Sequence, residues 1–153
     1  MKLYLVRHGD ALAEAIDPSR PLSEKGKIEI QSVARSIAPF NIKVKYLFHS
    51  GKLRAAQTAQ ILSTVISTQE PIQERKGLDP LDPVSAFVEE LQFYQDDIML
   101  VGHLPFMGLL VSSLIVNDEN SPLVAFSTGC IVCLERENNN DNKRWIINWM
   151  IRP

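Results

Sequence analysis

The sequence predicts an α/β fold, a mostly parallel central sheet covered by helices on both faces with an antiparallel edge. Three short, nearly unbroken apolar runs, at 3–6, 44–48 and 98–101, read as strands buried on both faces. Segments of helical periodicity alternate with them, the order expected of a parallel sheet. Near the C-terminus, apolar runs around Cys130–Leu134 and Trp145–Ile151 flank the polar stretch Glu137–Asn142 and read as a hairpin at a sheet edge.

The first strand, Leu3-Tyr4-Leu5-Val6, runs directly into Arg7-His8-Gly9. Ser23 is placed to cap a helix whose apolar side is Ile30, Val33, Ala34 and Ile37. Gly26 interrupts that helix at a cost of roughly 1 kcal/mol relative to alanine, which points to close packing under the loop carrying Arg20. The second strand leads through His49 and Ser50 to Arg54, and Ala55, Ala59, Leu62 and Ile66 continue at helical spacing. Asp79-Pro80-Leu81-Asp82-Pro83 carries the signals of a turn and a helix start. The third strand, Ile98-Met99-Leu100-Val101, delivers Gly102-His103. Pro105 then suits the first turn of a helix with Met107, Leu110, Val111 and Leu114 as its buried face.

In open sheets of this kind ligands bind beyond the carboxyl ends of the strands, so His8, Ser50 with Arg54, and His103 are expected to converge there. Arginine presents a planar fork that matches phosphate oxygens in pairs and stays charged, which makes Arg7 and Arg54 candidates for a phosphoryl clamp. A neutral imidazole can attack phosphorus, and a protonated one can donate to the charge that develops there. Gly9 is expected to allow a close backbone approach. Strand alternation turns His49 away from the pocket, Ser50 either donates to phosphate or ends the strand, and Lys52 reads as a surface charge.

At 153 residues and 45% hydrophobic composition the chain is expected to form one domain over 1–153. A net charge of −2 argues against a nucleic-acid binder, which would carry a basic stripe. No apolar stretch is long enough to span a membrane and no secretory pattern opens the chain, so a cytoplasmic location without membrane association is expected. Cys130 and Cys133 have the spacing of a redox or zinc motif, but residues three apart on a strand face opposite sides, and packing is the expected role. With three histidines and no aspartate cluster beside them, neither a metal centre nor a cofactor is expected.

Four ordered segments, 5–11, 20–26, 50–59 and 101–105, resemble the histidine phosphatase superfamily, and in particular its small SixA-like phosphohistidine phosphatase branch. The resemblance runs nearly end to end. It implies a three-layer α/β/α, phosphoglycerate-mutase-like fold in which His8 becomes transiently phosphorylated. Arg7, Arg54 and His103 would complete the phosphate pocket, with Arg20 as an auxiliary anion contact. It also implies a phosphohistidine-bearing protein as partner, a histidine phosphotransfer domain or phosphocarrier, with inorganic phosphate as product and a role in signal transduction. Larger members carry a carboxylic general acid in an insertion that this chain is too short to contain, leaving Asp10, Asp79 and Asp82 as candidates. A phosphohistidine substrate needs such an acid least, because the leaving imidazole can be protonated near neutral pH. Alternatives are a broad phosphomonoesterase and a non-catalytic phosphohistidine-binding module.

Overall fold

The computed structural model describes residues 1–139 and 142–153. In chain order the elements are β1 (Lys2–Arg7), α1 (Glu24–Ile37), β2 (Lys43–Val44), β3 (Tyr46–His49), α2 (Leu53–Leu62), β4 (Ser67–Thr68), β5 (Gln73–Glu74), α3 (Val84–Leu91), β6 (Ile98–Gly102), α4 (Phe106–Val116), β7 (Ile131–Asn139) and β8 (Asn142–Ile151). Among the described residues six strands form one sheet in the order β5-β3-β6-β1-β7-β8, and β2 pairs with β4 apart from it. Pairing is parallel from β5 to β1, then antiparallel through β7 and β8. The predicted mostly parallel sheet with an antiparallel edge is thus the observed one.

Helices cover both faces. Alternate residues of the strands separate into two apolar cores, as a period of two requires. Leu3, Leu5, Ile98, Leu100 and Val132 pack against α3 and α4 through Phe87, Leu91, Phe106 and Leu110. Tyr4, Val6, Met99, Val101 and Ile131 pack against α1 and α2 through Ile30, Ile37, Ala59 and Leu62. The two cysteines follow the same division: Cys130 lies in the first core and Cys133 in the second, both free and buried. Burial pushes the Cys133 thiol up to about 12, so it is held as an inert packing group.

Local sequence explains the helix limits. The Ser23 hydroxyl caps α1 by accepting the Gly26 amide at 3.0 Å. At Gly26 an added Cβ would lie 2.0 Å from the Asp10 carbonyl oxygen, so the close packing expected there is against the backbone that follows His8. The helical spacing that continued through Ile66 overruns α2, which stops at Leu62. Ser63 and Thr64 hydroxyls donate back to the Gln60 and Ile61 carbonyls, a competing local pattern that ends helices. Ile66 remains buried beyond the end. The single buried face expected of α4 is also too narrow, since Phe106, Gly108, Ser112 and Ser113 are buried alongside Met107, Leu110 and Val111, while Leu114 is half-buried.

The edge strands extend further than expected. Glu137, Asn138 and Asn139 pair with Arg144, Lys143 and Asn142 in the ladder, where Glu137 opposite Arg144 is a favourable cross-strand charge match. The rest of the expected polar turn, residues 140 and 141, lies outside the described residues.

Candidate active site

The sheet register decides where the functional side chains emerge. Arg7 is level with Gly102, and His49 with Val101. Backbone bonding continues one residue past each strand: the His8 amide donates to the Gly102 carbonyl at 3.0 Å, and the Ser50 amide to the Val101 carbonyl at 3.2 Å. His8, Ser50 and His103 therefore leave the sheet side by side. The His8 and His103 ring centroids are 4.9 Å apart, and the Ser50 Oγ lies 2.6 Å from His103 Nε2.

Hydrogen bonding fixes the His8 ring. Its Nδ1 is 2.7 Å from the Gly9 carbonyl oxygen, which can only accept, so Nδ1 carries the hydrogen and Nε2 the lone pair. Arg54 Nε–H points at that lone pair from 3.2 Å. The Gly9 amide donates to the Thr58 hydroxyl at 3.1 Å, and Thr58 donates to the Arg54 carbonyl at 2.8 Å. This fully buried threonine, which motif reading missed, couples the end of β1 to the first turns of α2. Its signal was positional only: it lies one helical turn beyond Arg54.

The arginines approach from three directions. Arg7 donates to the Phe126 carbonyl at 2.7 Å, in a loop drawn inward where the Gly129 amide meets the Arg7 and His8 carbonyls, each at 3.1 Å. Its Nε is buried without a partner and keeps a donor available. Arg54 stands in the first turn of α2, where a cation gains nothing from the helix dipole. Arg20, at φ 48°, donates to the Leu12 carbonyl at 3.3 Å. Its charge bears on both His8 and Arg54, which places it with the cluster.

Burial is the largest cause that lowers the His8 imidazole, to about 4, and the charges of Arg54, Arg7 and Arg20 act in the same direction against the opposing bond to Gly9. His103 is lowered to about 3 by burial first, then by His8, Arg54 and Lys52, with Asp79 opposing. Both rings are therefore neutral near pH 7. That leaves two fixed guanidinium forks beside an imidazole lone pair, a combination suited to a tetrahedral oxyanion.

The three candidate aspartates separate. Asp10 accepts the Ser23 hydroxyl at 2.5 Å and so ties the stretch after β1 to the cap of α1, while Asp82 accepts the Asp79 amide at 2.7 Å within a local turn. Asp79 instead pairs with Lys52 at 2.9 Å and lies near enough to act on Arg54 and His103. Lys52, read as a surface charge, thus belongs to the mouth of the site. A recess of about 400 Å³ adjoins it, lined among others by Ser50, Lys76, Asp79 and Asp82. His49 stands apart as expected, its Nδ1 accepting the Gly51 amide at 3.1 Å. No group of three or more His, Cys, Asp or Glu side chains placed to hold a metal is found among the described residues. Nor, among them, is any helix long and apolar enough to cross a membrane.

Fold and site together define an α/β protein with a cationic, imidazole-bearing oxyanion pocket at the carboxyl ends of its central strands. Comparison with known proteins gives that class a family. A sequence model of the histidine phosphatase superfamily (branch 1) matches residues 3–86, more than half of the chain. Phosphohistidine phosphatase SixA of Escherichia coli is 26% identical over 158 aligned residues, covering all of this chain and 94% of that protein. An uncharacterised protein of Picosynechococcus sp. is 34% identical over 71% of this chain and 69% of its own length. The solved structure of the protein histidine phosphatase SixA complexed with tungstate shares the fold, with a TM-score of 0.79 at 24% identity over 99% of this chain and 97% of that one. The chain belongs to the histidine phosphatase superfamily, as an enzyme of that phosphatase class with its three-layer, phosphoglycerate-mutase-like fold.

Proposed function

We propose that the protein is a phosphohistidine phosphatase, a single domain over 1–153 that removes the phosphoryl group from a histidine on a partner protein. The observation that carries this reading is the His8 Nε2 lone pair, fixed by the Gly9 carbonyl and surrounded by Arg7, Arg20, Arg54 and His103. In the first step Nε2 attacks phosphorus in line, an Nε2–P bond forms, and the P–N bond to the substrate breaks. The electron pair stays on the departing imidazole, whose other nitrogen carries the proton. In the second step water attacks phosphorus, the Nε2–P bond breaks with its pair returning to His8, and inorganic phosphate leaves.

Arg7 and Arg54 hold equatorial oxygens through both steps, because their forks match oxyanion pairs. A bound phosphoryl dianion opposes the burial and the neighbouring charges that together keep His103 neutral, so His103 takes up a proton and donates to the developing charge. Ser50 orients His103 through the contact at its Nε2. Arg20 adds positive charge at the entrance. No metal or cofactor enters these steps. The histidine-phosphatase relative bearing the phosphohistidine name supports a protein partner, such as a phosphotransfer domain or phosphocarrier in a signalling pathway.

The placement of Asp79 favours a second reading, hydrolysis of phosphate monoesters, because a carboxyl group at the mouth is where an alkoxide would need a proton. The deciding experiment follows phosphate release, in chelator-containing buffer, from a phosphohistidine-bearing phosphocarrier and from an alkyl phosphate. Preference for the phosphocarrier, abolished by His8→Ala, is expected. Preference for the ester overturns the first reading, and activity restored only by added divalent metal overturns the metal-free mechanism.

A further inference from the structure

Among the described residues two hydrogen bonds join α2 to the turn that follows β1. One is direct, from Arg54 Nε–H to the His8 Nε2 lone pair at 3.2 Å. The other runs through Thr58, whose hydroxyl accepts the Gly9 amide at 3.1 Å and donates to the Arg54 carbonyl at 2.8 Å. An amide only donates and a carbonyl only accepts, so the direction of both Thr58 bonds is fixed. A threonine that bonds back to the carbonyl four residues earlier is common in helices and by itself says nothing of function. Here the same oxygen also holds the residue next to His8, and it does so from a fully buried position.

A phosphoryl group affects the two connections differently. Attack on phosphorus uses the Nε2 lone pair, so the bond from Arg54 Nε–H is lost while the Nε2–P bond exists, and the guanidinium turns to the phosphoryl oxygens. The Thr58 bonds use neither that lone pair nor the guanidinium, and they persist. Other ties of this helix end lead elsewhere. Lys52 at the N-cap makes no side-chain cap bond, and Gln57 accepts the Leu22 amide at 2.7 Å, which fastens α2 to the Arg20 segment. On its far side Gly9 is backed by α1, where an added Cβ would lie 2.8 Å from Ile30 Cγ1. Gly9 is thus pressed by α1 and held to α2 through one hydroxyl.

We propose that Thr58 is a positioning residue that keeps His8 and Arg54 in register during phosphoryl transfer, when their direct hydrogen bond is gone. This rests on the reading of His8 as the nucleophile. Attack in line is sensitive to displacements of about an ångström, and alignment of this kind counts in the transition state more than in binding. Thr58 therefore acts on kcat and leaves KM largely unchanged.

The test measures kcat and KM per folded enzyme for the wild type, Thr58→Val, Thr58→Ser and His8→Ala, on whichever of the phosphocarrier and the alkyl phosphate the wild type hydrolyses faster. Valine keeps the volume and removes both bonds, whereas serine keeps the bonds and removes a buried methyl. Thr58→Val is expected to lower kcat about tenfold or more with KM within about threefold, and Thr58→Ser to recover most of that loss although it unfolds at lower denaturant. With His8→Ala inactive, a Thr58→Val kcat within about threefold of wild type overturns the role of Thr58 alone, as does a serine variant as slow as the valine one. Turnover by His8→Ala overturns the nucleophile reading and this proposal with it. Hydrogen exchange in the wild type, with and without vanadate, needs no variant to fold. The Arg54 Nε–H resonance is expected to shift while the Gly9 amide stays protected; a static Arg54 signal or loss of Gly9 protection overturns the proposal.

Discussion

The floor and the rim of the pocket are built by opposite means. On the floor, His8, Ser50 and His103 are aligned by sheet register, and the His8 ring, the Gly9 amide, Thr58 and Arg54 form a closed chain of hydrogen bonds. At the rim, one half-exposed ion pair between Lys52 and Asp79 connects two segments that carry exposed apolar side chains. Buried polar groups in a satisfied network are fixed, whereas an exposed ion pair is worth about 0–1 kcal/mol. The floor is thereby preorganised for one reaction, while the rim is held more loosely.

Four measurements break or sharpen this comparison. The largest effect is expected on the floor: Arg54→Lys keeps the charge but loses the fork, and kcat/KM should fall about 10²-fold, the scale for removing one preorganised donor. Activity near wild type would move Arg54 out of the machinery. Next comes Gly26→Ala, which places a Cβ against the Asp10 backbone behind His8. It should lower stability by about 1–3 kcal/mol in denaturant unfolding, with activity falling as Asp10 and His8 shift. An unchanged midpoint would show that the floor yields more than its hydrogen bonding implies.

The third is a pH effect on stability. Folding lowers His8 from its ordinary value to about 4 and His103 to about 3. As pH falls below roughly 6.5, the unfolded chain takes up protons that the native chain refuses, so stability present above that pH is lost progressively toward 4 and 3. Urea midpoints at pH 7 and 5 should therefore differ, and less so in His8→Gln; equal slopes in the two proteins would place the titration elsewhere. The smallest effect is expected at the rim. Asp79→Asn should change phosphohistidine turnover by less than about threefold, since the ion pair it breaks is half exposed. A much larger loss confined to alkyl phosphate would mark Asp79 as the proton donor of the second reading.

What the sequence by itself determined was the framework. The apolar runs ending in Arg7-His8 and Gly102-His103 specify buried parallel strands, and strand ends are where such sheets bind ligands, so His8 and His103 were legible before any coordinates. The separation of Cys130 from Cys133 was legible for the same reason, because strand alternation is a local property. Where local chemistry competed with periodicity, the reading failed: α2 ends at Leu62 because Ser63 and Thr64 bond backward, and the helical spacing through Ile66 did not reveal it.

Only the tertiary structure decided the roles of residues whose partners are distant in sequence. Thr58 gains meaning from the Gly9 amide, Lys52 from Asp79, and Arg7 from the Phe126 carbonyl, and none of these pairings has a local signature. The choice among Asp10, Asp79 and Asp82 was likewise closed to sequence, since Asp79 and Asp82 share one ordinary turn signal and the partner of Asp10, Ser23, is distant along the chain. Packing brings Asp79 within electrostatic reach of His103, because proximity across a fold depends on how segments are brought together and not on what each contains.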